Sequence, residues 1–562
     1  MIQRRATSDE SGKARCAACG KLLFRPSHCK LCRGTYCHDH TPPSKHSCPN
    51  APQKPEQHAR RKTRLYAVIA VGFVVVVGGL LMVSLMRSLM RMSGPAPEWT
   101  GRTVFVDVTE EAGVGSQGSG HGLVLGDYDA DGHVDIYVVN NGGANILYRN
   151  NGNGTFTDVT ETSGAGDRGG SHGAAFVDYD NDGDLDIWVA NWIENVDPNV
   201  LYRNNGNRTF TNVNQASGIS KFRPGGSHGC TVLDFDRDGL IDLFATSAEE
   251  TCILLRNRGD GTFEDYSDKS GMRVGVRPHF QSTIDLDRDG YTDIMVANSD
   301  PDDGDKDADN QFYRNTGLGT FTEVAASVGL LKGDLHGASF GDFDGDGNLD
   351  LFAPDAARGS KLNFLLNDGH GRFKDATRRS RTWHTAQRTH AMACGDFDND
   401  GDLDAFLTST GDDLLFANSG DAAFREVAKA AGLADVPGDP KAVGFLDYDD
   451  DGDLDVYVVF SDRPNMLFRN DNTEGNWIKV KLVGTKSNRD AIGARIELIS
   501  DGKLQVREVC GGRGHMQDPF DQFFGLGHSG IIESISVKWP SGQASLLENV
   551  QPNQRLVITE PV

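Results

Sequence analysis

HGLVLGDYDADGHVDIYVVN, residues 121–140, sets a short apolar run, an aspartate-rich turn and a second apolar run in direct succession. Both runs are rich in β-branched and aromatic residues and too short for helices, so the stretch reads as a β-hairpin bent around the turn. Carboxylates stand at turn positions 1, 3, 5 and 9 (Asp127, Asp129, Asp131 and Asp135), with Gly132 at position 6. Hard oxygens at that spacing, around a glycine that permits a tight turn, suit Ca²⁺, and the His133 carbonyl is a further candidate ligand.

The turn recurs. DYDNDGDLD places Asp178, Asp180, Asp182 and Asp186, DFDRDGLID places Asp234, Asp236, Asp238 and Asp242, and DLDRDGYTD places Asp285, Asp287, Asp289 and Asp293. DFDGDGNLD adds Asp342, Asp344, Asp346 and Asp350, DFDNDGDLD adds Asp396, Asp398, Asp400 and Asp404, and DYDDDGDLD adds Asp447, Asp449, Asp451 and Asp455. The seven starts lie 51 to 57 residues apart, a period that marks an array of like units. An EF-hand is excluded, because position 12, where it needs Glu, is apolar in every copy: Val138, Val189, Ala245, Val296, Ala353, Leu407 and Val458.

Each unit continues with a third strand, as in ILYRNNGNG, ILLRNRGDG and MLFRNDN, and a fourth that opens at Phe156, Phe210, Phe263, Phe321, Phe373 or Phe424. The unit is therefore a four-stranded antiparallel blade. The seventh unit stops after its third strand at residues 466–472, and the missing fourth signature, FVDVTEEAGV from Phe105, stands before the first loop. Pairing the two closes the array into a ring and removes its open sheet edges. The expected fold is mainly β, a seven-bladed β-propeller over residues 103–472.

These motifs resemble the FG-GAP and VCBS repeats of integrin-α-like propellers. In such propellers the strand before the calcium loop is innermost. The resemblance thus implies that His121, His172, His228, His279, His336, His390 and Lys441, six residues ahead of each loop, circle the axis opposite the calcium loops. Two readings of this ring stand open: a ligand, anion or transition-metal site, or histidines that hold neighbouring blades together.

From Asn476 the period is lost, and WIKVKLVG, GARIELIS, LQVREVC, SISVKWP and LVITE alternate as strands of a small β-sandwich. NRDAIGAR, FFGLG, VKWPSG and NVQPNQ resemble the ASPIC/UnbV domain, so residues 476–561 are expected to form one. His515, Asp518 and Asp521 cluster in a glycine-rich segment that reads as an acid–base or metal site or, more simply, as a solvated loop.

Upstream of the repeats, YAVIAVGFVVVVGGLLMVSLM (residues 66–86) is uncharged over a length that spans a bilayer as a helix. Arg60, Arg61, Lys62 and Arg64 precede it, against Arg87 and Arg91 beyond it, which orients the N-terminus to the cytoplasm. The long polar segment ahead of it and the lack of a cleavage motif argue against a signal peptide. A basic linker (51–65) and a second linker (87–102) flank this expected single transmembrane helix.

Residues 1–50 carry Cys16, Cys19, Cys29, Cys32, Cys37, His40, His46 and Cys48, eight thiol and imidazole ligands that suffice for two tetrahedral Zn²⁺ sites. The spacing resembles the AN-one-type zinc finger. That family's interleaved pairing implies Cys16, Cys19, Cys37 and His40 on one zinc and Cys29, Cys32, His46 and Cys48 on the other. Such fingers are protein-interaction modules. The remaining cysteines, Cys230, Cys252, Cys394 and Cys510, are scattered and read as buried thiols or as one or two disulfides.

The formal charge of −24 argues against nucleic acid as a partner. Up to seven Ca²⁺ ions would offset more than half of it. No phosphate-binding P-loop or HExxH motif is present. The expectation is a non-enzymatic, single-pass cell-membrane protein. Its propeller lies outside the cell or in the periplasm and binds an extracellular protein or glycan, and its finger meets a cytoplasmic protein partner. The competing expectation is an envelope enzyme, polysaccharide-active or metal-dependent, working through the histidine ring or the His515 segment.

Overall fold

A computed structural model describes residues 27–28, 35–36 and 105–562, except 193–197, 223–225, 248–250, 274–277, 299–309, 331–334, 336, 355–361, 383–388, 434–435 and 473. The chain divides into two compact units, Met1–Pro97 and Glu98–Val562. In the first, Ser27–His28 pairs antiparallel with Thr35–Tyr36. The eight expected zinc ligands and the expected membrane span at 66–86 lie outside the described residues. No helix among the described residues is long and apolar enough to cross a membrane.

In the second unit every aspartate loop joins the first two strands of a four-stranded antiparallel sheet. The first sheet runs Gly120–Gly126, Asp135–Asn140, Ile146–Asn150 and Phe156–Asp158, and six others follow the same plan. The last is completed by Phe105–Asp107, whose register Phe105↔Asn470 and Asp107↔Phe468 ties the start of the repeat region to its end. Aromatic and branched side chains between sheets form the core, among them Trp188, Tyr137, Tyr457 and Phe352, all fully buried.

The loop sequence explains its own shape. Positions 4 and 6 both adopt left-handed backbone, Ala130 at φ 56° and Gly132 at φ 100° in the first loop, which curls the chain tightly enough for side chains to meet. In all seven loops the first Asp accepts the N–H of the position-6 glycine, at 2.7 to 3.1 Å. The ninth Asp accepts two backbone N–H groups: that of loop position 2, and that of the Asn that ends the third strand, as in Tyr128 and Asn150 to Asp135.

That Asn also stitches the sheets together. Its amide donates to the position-2 carbonyl of the preceding repeat, Asn204 to Tyr128, Asn257 to Tyr179, Asn315 to Phe235, Asn418 to Phe343 and Asn470 to Phe397. Asn150 of the first repeat reaches Tyr448 of the last, at 2.7 Å, so the array is a closed ring. A buried amide that satisfies backbone on two sheets fixes their spacing more firmly than apolar contact alone.

Residues 476–559 form two facing sheets. One orders Gln522–Gly527, Asn476–Val483 and Gln554–Thr559, and the other Lys503–Glu508, Arg495–Ser500, Ile532–Lys538 and Ala544–Val550. Ile478, Val480, Ile496, Leu498, Phe524, Ile535 and Val537 fill the space between them. The expected small β-sandwich is therefore present, with Gln522–Gly527 and Ala544–Val550 as strands that the alternation had not marked.

Candidate metal loops and the axial plug

In the first, second, third and fifth loops the carboxylates at positions 1, 3 and 9 bring one oxygen each within 4.8 Å of one another; in the fourth, Asp285, Asp287 and Asp289 do so. Position-5 side chains are held in place by local backbone, as where Asp238 accepts the Leu240 N–H at 3.0 Å. Several buried oxygens at positions 1 and 3 have no hydrogen-bond donor: Oδ1 of Asp127, Asp236, Asp287, Asp342, Asp344, Asp447 and Asp449. Clustered, donor-free carboxylate oxygens are compatible with a hard divalent cation.

The electrostatics agree. Burial, reinforced by neighbouring carboxylates, pushes Asp178, Asp234 and Asp342 from the ordinary 3.8 up to about 7. Burial also raises Asp186 and Asp350 to about 9. Positive side chains supply part of the compensation from outside the loops. Arg208 Nε lies 2.8 Å from Asp129, Arg256 Nε 2.5 Å from Asp236 and Arg314 Nε 3.1 Å from Asp287.

The C-terminal domain sits on the face that carries these loops and touches all seven. Arg555 lies 3.4 Å from Asp127, Asp490 accepts the Asp178 N–H, Arg237 donates to the Pro540 carbonyl, and Glu508 accepts the Asp285 N–H. Arg495 donates to the Gly347 carbonyl, Lys503 pairs with Asp402, and Lys479 pairs with Asp447 at 2.7 Å.

Its segment 510–517 enters the ring. Cys230 and Val232 donate their N–H groups to Gly514 and Gly511, Leu123 donates to His515, and Gly514 donates to Gln281. Met516–Gln517 runs parallel to Leu123–Val124 as an extra strand on the first sheet. Arg513, 4% exposed, binds Asp518 through two nitrogens and donates to the Met392 carbonyl at 2.9 Å. The solvated-loop reading of the His515 segment is thus corrected: it is a buried plug. A glycine-rich stretch looks like solvent-exposed chain, but here its small residues allow backbone to press against backbone. A Cβ on Gly511 would lie 1.7 Å from the Val232 carbonyl oxygen, and one on Gly122 of the ring 2.5 Å from that of His515.

The plug reaches the histidine positions. His121 and His172 stack at 3.9 Å between ring centres, Trp192 lies 5.0 Å from His172 and 3.9 Å from His228, and His515 meets His121 edge-on at 4.7 Å. His515 Nδ1 donates to the His172 carbonyl at 3.1 Å. Elsewhere on the ring, His390 lies 3.4 Å and Lys441 2.9 Å from Asp439. His336 and the His279 side chain are outside the described residues. Asp518 pairs with Arg513 of the plug at 2.7 Å, and Asp521 pairs with Arg555 at 2.5 Å. Cys230, Cys252, Cys394 and Cys510 are free thiols.

Sequence reasoning passed over the third-strand Asn, although it recurs as RN or AN at the end of the strand in repeat after repeat. It also missed the plug, for which the only signal is the glycine that follows the ring histidine in three separate repeats, Gly122, Gly173 and Gly229.

The family model for FG-GAP-like repeats matches residues 99–189, 192–245, 285–353 and 396–458, that for ASPIC and UnbV matches 484–562, and that for AN1-like zinc fingers matches 16–53. The chain carries FG-GAP repeats, an ASPIC/UnbV domain and an AN1 zinc finger. It is homologous to cartilage acidic protein 1. The Mus musculus protein is 24% identical over 479 residues, covering 75% of this chain and 71% of its own length. The Homo sapiens protein is 24% identical over 498 residues, covering 70% and 74%. Among solved structures, a Burkholderia pseudomallei lectin aligns at 11% identity with a TM-score of 0.42, over 64% of this chain and 98% of that one. An Agrocybe aegerita protein described as recognising non-reducing terminal N-acetylglucosamine aligns at 21% identity and a TM-score of 0.37, over 56% and 83%.

Proposed function

We propose that this chain is a membrane-anchored display protein. A seven-bladed, calcium-loaded propeller and its ASPIC/UnbV domain form one extracytoplasmic binding body, held by a single span at residues 66–86, with a zinc finger in the cytoplasm for a protein partner. The observation that carries the reading is the set of donor-free carboxylate oxygens in the aspartate loops, each loop being touched by the C-terminal domain. Calcium there neutralises the crowded carboxylates and fastens the domain to the ring. Its part is structural, and the chain binds rather than catalyses.

The ligand of such a body is an extracellular protein or glycan. With the loop face covered by the C-terminal domain, recognition falls to the remaining surfaces of the ring and to the domain's outer sheet. Immobilised full chain in millimolar calcium is expected to capture a defined surface or matrix component, and to release it when a chelator is added. Capture that ignores the chelator, or that persists after the unit beyond residue 98 is proteolysed away, contradicts this reading.

A further inference from the structure

Between the ring and the ASPIC/UnbV domain lies a chamber of about 430 Å³, within the size range of ligand-binding cavities. Its floor is the loop-side end of the inner strands, including Ile284, Phe340 and Phe445. Its roof is the C-terminal domain, including Val506 and Arg507, and the plug closes one side. Most of the lining is apolar.

The charged groups in this wall are largely satisfied. Arg555 pairs with Asp521, Arg513 with Asp518 and Lys479 with Asp447. Asp490 and Glu508 each accept a backbone N–H from an aspartate loop. Three cations, Lys481, Arg489 and Arg507, are left over. Arg507 is held in place, with Nη1 donating to the Val506 carbonyl at 3.0 Å and the guanidinium 4.9 Å from the centre of the Phe524 ring. Its Nη2 is buried without a hydrogen-bond partner. Among the described residues, neither Arg507 nor Lys481, which lines the same chamber, takes part in an ion pair.

A fixed guanidinium nitrogen aimed at no acceptor, in a largely apolar chamber, is a recognition element lacking its ligand. We infer that the chamber binds a small organic carboxylate with an apolar body, its carboxylate on Arg507 and its remainder among Phe340, Phe445 and Val506. A monoanion suits the site better than a phosphate, because Asp490 and Glu508 in the same wall oppose a second negative charge. The carboxylates that act most on Arg507 are those of Asp396 and Asp342 in the aspartate loops, so the site rests on the calcium reading to the extent that calcium neutralises them.

Calorimetric titration of the full chain with 3-phenylpropionate, its neutral analogue 3-phenylpropanol and inorganic phosphate tests this. One carboxylate is expected to bind per chain, with the alcohol at least about tenfold weaker and phosphate silent. Arg507→Gln is expected to weaken carboxylate binding roughly tenfold at an unchanged melting temperature, and Arg507→Met serves as the second variant should the first not fold. Equal binding of the alcohol, preference for phosphate, no heat from the carboxylate at millimolar concentration, or an unchanged affinity in a folded variant would each overturn the assignment.

Discussion

Chelating calcium from the full chain at pH 8 is expected to lower its melting temperature by on the order of 15 °C, if each of seven loops is held well above its dissociation constant. The loops supply the cause: first-position carboxylates stand with donor-free oxygens a few ångströms from like charges. The loss has a pH signature. In the metal-free protein burial raises the pKa of Asp178 and Asp234 to about 7 and of Asp186 and Asp350 to about 9, against 3.8 ordinarily. A group raised on folding contributes stability that is fully present below its unfolded pKa and is lost as the pH climbs through its folded pKa. The chelated protein therefore weakens between about pH 4 and pH 9. Bound calcium keeps the carboxylates ionised, so the calcium-dependent rise in melting temperature grows from pH 5.5 to pH 8. A rise of equal size at both pH values would mean that the buried carboxylates are not the ligands.

Gly511→Val is the substitution expected to do most damage per atom added. The new Cβ meets the backbone carbonyl of Val232 at 1.7 Å, and neither strand can yield without breaking the contact between plug and ring. Overpacking of this kind costs about 3 kcal/mol or more. In hydrogen exchange the Cys230 and Val232 amides, which donate to the plug's Gly514 and Gly511 carbonyls, lose protection while amides on the far side of the ring keep theirs. Gly530→Ala, with nothing within 4 Å of the added carbon, is the matched control and should be neutral. Intact protection at Cys230 and Val232 in the Gly511→Val protein would show that the plug does not seal the ring.

How much of this was legible in the sequence follows from where repetition exists. The aspartate loops could be read because the same nine-residue chemistry occurs seven times, and the closing strand because FVDV at Phe105 duplicates the signature that the last repeat lacks. Asp135 and its equivalents were read only as calcium ligands, yet each also accepts two backbone N–H groups, a role that depends on long-range pairing and leaves no local pattern. The plug was illegible for a different reason. CGGRGHMQ occurs once, has no alternation, and is rich in the residue that most often marks exposed turns. Its meaning lies in the partner surface, where Gly122, Gly173 and Gly229 leave room for it. The histidines were placed on the axis by resemblance. What could not be foreseen is His515, which comes from another domain to stand against His121 and His172.

The central claim is that the aspartate loops are calcium sites, and metal content per chain tests it most directly. Full-length protein purified without chelator, dialysed against trace calcium and measured by plasma mass spectrometry is predicted to hold close to seven calcium ions and two zinc ions. Zinc alone, with calcium no higher than in the dialysis buffer, would contradict the account and leave the buried carboxylates without their counter-ion.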